Sequence, residues 1–490
     1  MVHLGTLLFR FQLIIFMVFF CAGCGLERHY TYDQIKGEFA HPTKSSQPQQ
    51  SNQPGDPSIL SGTVSLSEAI EIGVANNPEI EMAVARIRQS EAIISESLAS
   101  FRPVVTAYGE YMQGDAPSAY LFRSIDQRKL PAGADFNNPG WFENYEVGIH
   151  ARMNLFNGGR DLLRKRMAET GQKINELDRQ SVENALIASV IHAYYTVLAA
   201  RDYIAIAQES VSTVATQLRI MEAQYRAGGA LKSDVLSLEV RLAQAREDLV
   251  KAENNASLSI AALANLLGLD ADTPLQLAKE QDVSLDLPGD YQGGLVHALA
   301  NRAELQKVRL HIIESRMSLD MASSEYLPRL DAHYKYYHDD PQPHFEGSRK
   351  NWTAGIILNW DFFTGFSTQA KVDRAENVLA EMIASDRKTT QSIQLDLKTT
   401  YLKLAEAKAR LAVAEASVAQ ATESLRLVKK EYEGGSATIV RYLNAELARN
   451  MAQIHVTEAY YDQKKAEAAV GRALGYWGAT YAQEGLTQNE

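Results

Sequence analysis

The sequence predicts an α+β fold in which one unit occurs twice: a helix, a pair of strands and a hairpin of two long helices. Three observations predict it, namely an internal repeat, long stretches without proline, and segments in which apolar and polar residues alternate. Adding 207 to a residue number in the first copy gives its counterpart in the second, as for Tyr225 and Tyr432 or Gly228 and Gly435. Before the strand pairs the offset is 225, so the first copy has 18 additional residues between its strands. Such a repeat indicates two halves of one body rather than three unrelated domains.

The N-terminus has the features of a signal peptide. Arg10 precedes an apolar run from Phe11 to Phe20, which is too short for the roughly 20 residues that a membrane-crossing helix needs. Ala22-Gly23-Cys24 looks like a bacterial lipobox, although Cys21 stands where that pattern usually has Leu. We therefore predict a lipoprotein signal peptide over residues 1–23 and acyl chains on Cys24 that anchor the protein in lipid. The alternative is an ordinary secretory signal with two incidental cysteines.

The composition argues against several functions. A net charge of −11 without a long basic cluster argues against a nucleic-acid binder. Cys21 and Cys24 are the two cysteines, so the mature body has no disulfide framework and no thiolate metal site. His-Glu-x-x-His, Gly-x-Ser-x-Gly and P-loop patterns are absent. His333 and His338 are separated by an odd number of positions on a predicted strand and so point to opposite faces. We predict no enzyme activity, no cofactor and no metal site.

Turn and cap residues divide the mature chain. Residues 38 to 62 are rich in Gln, Ser, Pro and Gly and cannot bury a core. Ser65 and Glu68 form a capping-box pattern that starts the first helix, and Asn77-Pro78 interrupts that helix before it ends near Ser100. The predicted segments are a tether over 24–63, the first copy over 64–268, a connector over 269–293, the second copy over 294–476, and a tail over 477–490.

Two stretches predict very long helices. Proline is absent between Pro139 and Pro274 and after Pro343, and a proline inside a helix costs about 3 kcal/mol. Within these stretches apolar residues recur every seven positions, which is the spacing of a coiled-coil seam. The seam residues are Val190, Val197, Ile204, Val211, Leu218 and Tyr225 in the first copy, and Leu397, Leu404, Leu411, Val418, Leu425 and Tyr432 in the second. A helix from Arg160 to Ala227 would be about 100 Å long.

Segments with alternating apolar and polar residues precede each long helix. One apolar face carries Tyr145, Val147, Ile149, Ala151, Met153 and Leu155, and a second carries Trp352, Ala354, Ile356, Leu358, Trp360 and Phe362. Each segment has about the 9 to 11 residues that a tilted strand needs to cross a bilayer, with aromatic residues at its ends. A half-buried sheet in a water-soluble domain would show the same alternation. Four strands cannot close a barrel, so strands in the membrane require several chains to combine.

Three features occur together: the order of these units, the strand end Leu155-Phe156-Asn157-Gly158-Gly159, and Tyr225-x-x-Gly228 before Ser233-Asp234. In these features the chain resembles the TolC family of outer-membrane efflux channels, over about residues 64 to 476. With the lipobox, the chain is similar to the lipidated, OprM-like members. The resemblance implies four transmembrane strands per chain in a shared trimeric β-barrel, and a long periplasmic coiled-coil tunnel. It also implies a homotrimer that works with a periplasmic adaptor and an inner-membrane transporter, in contact with outer-membrane lipid.

The resemblance implies that the two glycine turns form the closed periplasmic tip and that loops around 113 to 143 and 339 to 349 face outside the cell. Asp234 and Tyr432 fall where the family often ties helices together in the closed state. Arg441 and Asn444 fall where some members have acidic residues, so Arg441 would favour anionic cargo or pair with Asp234. The tip and gate residues are Tyr225, Gly228, Gly229, Asp234, Tyr432, Gly434, Gly435, Arg441 and Asn444. The alternatives are a periplasmic coiled-coil lipoprotein without a pore and an adaptor subunit.

Overall fold

Each half of the chain folds as the repeat predicts. The computed structural model describes residues 63–130, 132–133, 135–279 and 288–477. The predictions for the signal peptide, Cys24, nearly all of the tether and residues 478–490 lie outside these ranges. The elements are α1 Leu66–Asn76, α2 Pro78–Ser97, β1 Val104–Gly114, α3 Pro117–Asp126, β2 Phe142–Phe156, α4 Arg160–Arg226, α5 Lys232–Leu266, α6 Tyr291–Asn301, α7 Ala303–Ser323, β3 Arg329–Asp340, β4 Lys350–Asn359, α8 Ser367–Glu433 and α9 Ile439–Leu474.

The four strands form one antiparallel sheet in the order β1-β2-β3-β4, so β1 and β4 are its edges. Arg152 of β2 lies opposite Val104 of β1 and His333 of β3. Because side chains alternate along a strand, this register gathers the polar residues on one face and the apolar residues on the other. On the apolar face Trp352 and Ile356 are each 67% exposed, so the described residues leave that face uncovered.

The long helices pair as two antiparallel hairpins. Leu263 of α5 packs on Ile187 of α4 at one end, and Leu238 packs near Val214 at the other. In α9, Tyr461 donates a hydrogen bond to Asp202 of α4 at 2.9 Å, which joins the two hairpins in the order α5-α4-α9-α8. In α8 the predicted seam residues are the buried or half-buried ones, while most of the residues between them are exposed. Among the described helices, α4 alone contains a stretch apolar enough to cross a membrane, and 61% of that stretch is buried, as in a core helix.

Short segments at the ends of the helices are held by equivalent tyrosines of the two copies. The predicted capping box of Ser65 and Glu68 is formed. Tyr194 donates hydrogen bonds to the backbone oxygens of Val64 and Ala278, and its counterpart Tyr401 donates to Pro288. The bonds to Ala278 and Pro288 hold the two described ends of the connector against the long helices.

Two predicted boundaries differ from the structure. Helix α6 begins at Tyr291, within the predicted connector, because Asp290 caps it through the amide of Gly293. Trp477 was assigned to the tail, but it is buried in the same core cluster as Tyr194. In both cases contacts with other parts of the fold stabilise residues that lie outside the periodic sequence pattern.

Candidate functional site: the hairpin tips and the polar face of the sheet

The two hairpin turns have the same backbone geometry. Gly228 and Gly435 both have φ of 77°, a left-handed conformation that a side chain would strain. The amide of Gly228 donates to Tyr225 O at 2.9 Å and that of Gly229 to Gln224 O at 2.8 Å, which is the Schellman pattern of a helix end. The second turn repeats it. Gly435 donates to Tyr432 O at 3.0 Å and Ser436 donates to Glu431 O at 2.8 Å.

The structure brings several predicted gate residues together beside the turns. The rings of Tyr432 and Tyr442 stack with centroids 5.6 Å apart. Burial, and then the negative charge of Asp234 on the neighbouring hairpin, raise the pKa of Tyr432. The ammonium of Lys232 lies 5.7 Å from the centre of the Tyr225 ring. Asp234 and Tyr432 are therefore close enough to interact within one chain, while Gly434 caps α8 with an ordinary helical φ.

Arg441 does not pair with Asp234 in this chain. Its guanidinium forms an ion pair of 2.9 Å with Glu431, across the turn of its own hairpin. Asn444 lies exposed one helical turn further along α9. The pairing with Glu431 follows from the Schellman turn, which returns α9 directly beside the end of α8.

A buried carboxylate lies above the tip. Glu446 is 1% exposed, and neither of its carboxylate oxygens accepts a hydrogen bond from the described residues. Burial raises its pKa, and the charges of Arg241 and Arg449 offset this only in part, since Arg449 forms an ion pair of 2.7 Å with Glu209. No motif in the sequence marks Glu446 as a site residue, although it lies four positions after the buried Tyr442 on the same helix face.

The polar face of the sheet carries a second cluster at its loop end. Glu146 and Asp339 are fully buried there, and Arg123 contacts both, at 2.6 and 2.9 Å. Lys335 also contacts Glu146, at 2.6 Å, and the hydroxyl of Tyr108 donates to the same carboxylate. Buried carboxylates are costly unless they are paired in this way.

Helix α3 supplies Arg123 and lies over this cluster. The loop from 113 to 143 was expected simply to face outside the cell, but its helix folds back onto the polar face. Gln127, just after α3, donates to Asn144 of β2 at 2.8 Å, which fixes the end of the helix. The sequence signal was Pro117 at the first position of a helix. We call Arg123, Glu146, Asp339 and Lys335 the loop-end cluster.

The family model described as outer membrane efflux protein matches residues 70–269 and 294–476. The chain belongs to the outer membrane efflux protein family. It is an outer-membrane channel component of an efflux or secretion system that extends into the periplasm. The expectations for family, fold class, main function and location are thereby confirmed. Channels of this family work with an adaptor and an inner-membrane pump, and the relatives are channel proteins rather than enzymes.

The individual relatives are distant but cover most of the chain. The pyoverdine export outer membrane protein OpmQ of Pseudomonas aeruginosa is 22% identical over 84% of this chain and 85% of that protein. The alkaline protease secretion protein AprF of the same species is 22% identical over 81% of each chain. The CmeC outer membrane channel of Campylobacter jejuni superposes with a TM-score of 0.74 at 14% identity, over 90% of this chain and 97% of that one.

Replacing Arg123 with Ala should release α3 from the polar face. Leaving the buried Glu146 and Asp339 with one cation fewer should destabilise the local fold by about 3 kcal/mol. We expect faster hydrogen exchange in Pro117–Asp126 and a larger single-channel conductance. Arg128→Ala is the control, because Arg128 makes only two hydrogen bonds of 3.4 Å from the same segment. Unchanged hydrogen exchange in the Arg123 variant would show that Arg123 does not hold α3 on the polar face.

Replacing Glu446 with Gln should stabilise the protein at neutral pH. A raised folded-state pKa means that the protonated form favours the fold, so this contribution is present below about pH 4.5 and is lost as the pH rises through the folded pKa. The variant should gain about 1 kcal/mol or more at about pH 7.5, and the gain should vanish towards pH 4.5, as measured by thermal unfolding. Glu239→Gln, the exposed counterpart in the first copy, should show no such pH-dependent gain.

Proposed function

We propose that three copies of this chain form one passive conduit through the outer membrane, anchored by acyl chains on Cys24 and closed at the hairpin tips. A periplasmic adaptor would meet the tips around Gly228 and Gly435, and an inner-membrane transporter would supply the energy. In this proposal Asp234 and Tyr432 hold the tip closed.

One observation carries the proposal: the chain has uncovered edges in both of its layers. In the sheet, β1 and β4 each have one side that no strand of the described residues pairs with. In the helical layer, Val240 of α5 and Val413 of α8 are each 71% exposed, and these are the outer helices of the row. A second copy placed beside the first would pair β1 with β4 and cover α5 with α8 at the same time.

The apolar face of the sheet supports placement in lipid. Backbone groups in the hydrocarbon region must all be paired, which an open four-stranded sheet cannot achieve alone. Three chains would supply twelve strands, which is within the range of closed barrels. At the helix end of β4, Trp360, Phe362 and Phe363 are exposed together, as in the aromatic girdle of a membrane barrel.

The names of the relatives support transport without defining the cargo. OpmQ is named for pyoverdine export and AprF for protease secretion, so similar channels serve a small molecule and a protein. For this chain we propose that the pump selects the cargo and that the channel mainly sets a size limit.

The assembly can be tested with the full-length protein extracted from outer membranes in mild detergent. We expect a trimer by native mass spectrometry and defined conductance steps after insertion into planar bilayers. Metabolic labelling with palmitate should mark the wild type and be lost in Cys24→Ala. A soluble monomer without conductance would instead support the alternative of a coiled-coil lipoprotein that forms no pore.

Replacing Asp234 with Asn should favour the open tip. Removing the negative charge of Asp234 weakens its electrostatic interaction with Tyr432 between the two hairpins. We therefore expect a higher open probability in planar bilayers. Asp248→Asn is the control, because it changes the same residue type two heptads further along the same helix face. Equal open probabilities in both variants would argue against the gate.

A further inference from the structure

The polar face of the sheet contains a second feature at the opposite end from the loop-end cluster. A cavity of about 750 Å³ lies where the helix ends of β1, β2 and β3 meet the first turn of α4. Its cationic lining residues are Arg102, Arg152, Arg160, Arg164 and Arg329, and its acidic ones are Asp161 and Asp331. We call this the basic cavity.

The charges of the basic cavity do not balance. Asp161 pairs with Arg164 at 3.1 Å, and Asp331 pairs with Arg329 at 2.6 Å. Within the part of the chain that the structure describes, Arg102, Arg152 and Arg160 have no acidic partner. The cavity is therefore positive although the whole chain carries a net charge of −11.

The N-terminus of α4 adds to this positive potential. Its N-cap residue Gly159 has no side chain to cap the helix, and Oδ1 of Asn157 accepts from the amide of Asp161 at 3.4 Å. Arg160 lies in this first turn together with Asp161, at the end of the helix where the dipole disfavours cations. An anion in the cavity would be attracted by the arginines and by the positive end of the helix dipole. The buried Nδ1 of His333, which faces Arg152 across the sheet, likewise has no partner among the described residues.

The second copy shows that the fold does not require these arginines. The counterparts of Arg102, Arg152 and Arg160 are Leu327, Asn359 and Ser367, in the same backbone arrangement. Both copies form equivalent strands and helices, so this backbone arrangement forms without arginine at the three positions.

We propose that the basic cavity binds small soluble organic anions that carry several carboxylate or phosphate groups as they pass through the channel. The cavity opens on the polar face, which in the proposed trimer faces the water-filled lumen rather than lipid. Its arginines can bind oxyanions in bidentate geometry, which Lys cannot do. The inference rests on the proposed conduit and adds a preferred class of cargo.

The test uses citrate as a probe and two measurements on the full-length trimer. Citrate should reduce the open-channel current in bilayers of neutral lipid and should bind the protein in neutral detergent by titration calorimetry. In the variant Arg102→Gln/Arg152→Gln/Arg160→Gln, both effects should weaken by about tenfold or more, because each lost charged hydrogen bond costs about 1.5–3 kcal/mol.

A matched variant separates local binding from total charge. Arg374→Gln/Arg387→Gln/Lys388→Gln removes three exposed cations of α8 outside the cavity and should leave citrate binding unchanged. Replacing the three cavity arginines with Lys keeps the charge but loses the bidentate geometry, so the citrate affinity should lie between those of the wild type and the Gln variant. Such an intermediate affinity also checks that the loss in the Gln variant is not misfolding. Equal citrate affinity in the wild type and the Gln variant would overturn the proposal, and so would arginine-dependent binding of phosphatidylglycerol without citrate binding. Citrate binding in a protein that fails to conduct would support the cavity while contradicting the conduit.

Discussion

The requirement that every backbone amide in lipid be paired explains most of this structure. A sheet of four strands leaves the outer side of β1 and of β4 unpaired, and no loop of the described chain covers either edge. The helical layer ends in the same way, with apolar side chains uncovered on α5 and α8. Both layers are therefore incomplete at the same two sides. A chain with only one copy of the unit would contribute two strands, and more subunits would be needed to close the same ring.

The two copies share the same geometry where the backbone requires one particular conformation. Gly228 and Gly435 share a left-handed φ because the reversal between two antiparallel helices requires it. Tyr194 and Tyr401 both hold the chain that leads into a short helix. The copies diverge where side chains face the polar side of the sheet. Among the described residues, only the first copy has α3 over the loop-end cluster, and only the first has the three arginines without an acidic partner at the other end.

The sequence predicted the elements well because their signals are local. A seven-residue spacing identifies a helix seam, a two-residue alternation identifies a strand, and a capping box marks a helix start. It predicted the tip glycines and the proximity of Asp234 and Tyr432 through the family resemblance. The contacts of α3 could not be predicted, because Arg123 and Asp339 are 216 positions apart in the chain. The partner of Arg441 within the chain could not be predicted for a related reason: whether its guanidinium reaches Asp234 or Glu431 depends on how closely two hairpins approach at their ends.

The loop-end cluster and the basic cavity, both on the polar face, differ in whether their positive and negative charges balance. At the loop end Glu146 and Asp339 are matched by Arg123 and Lys335, so these charges hold α3 in place and attract little else. At the helix end Arg102, Arg152 and Arg160 exceed the available acids, and their potential extends into the open cavity. A conduit works only if such attraction remains weak enough to release what it binds. Side chains that are largely in contact with water meet this condition, because solvent screens each arginine, whereas the same charges buried like Glu146 would hold an anion too tightly to pass it on.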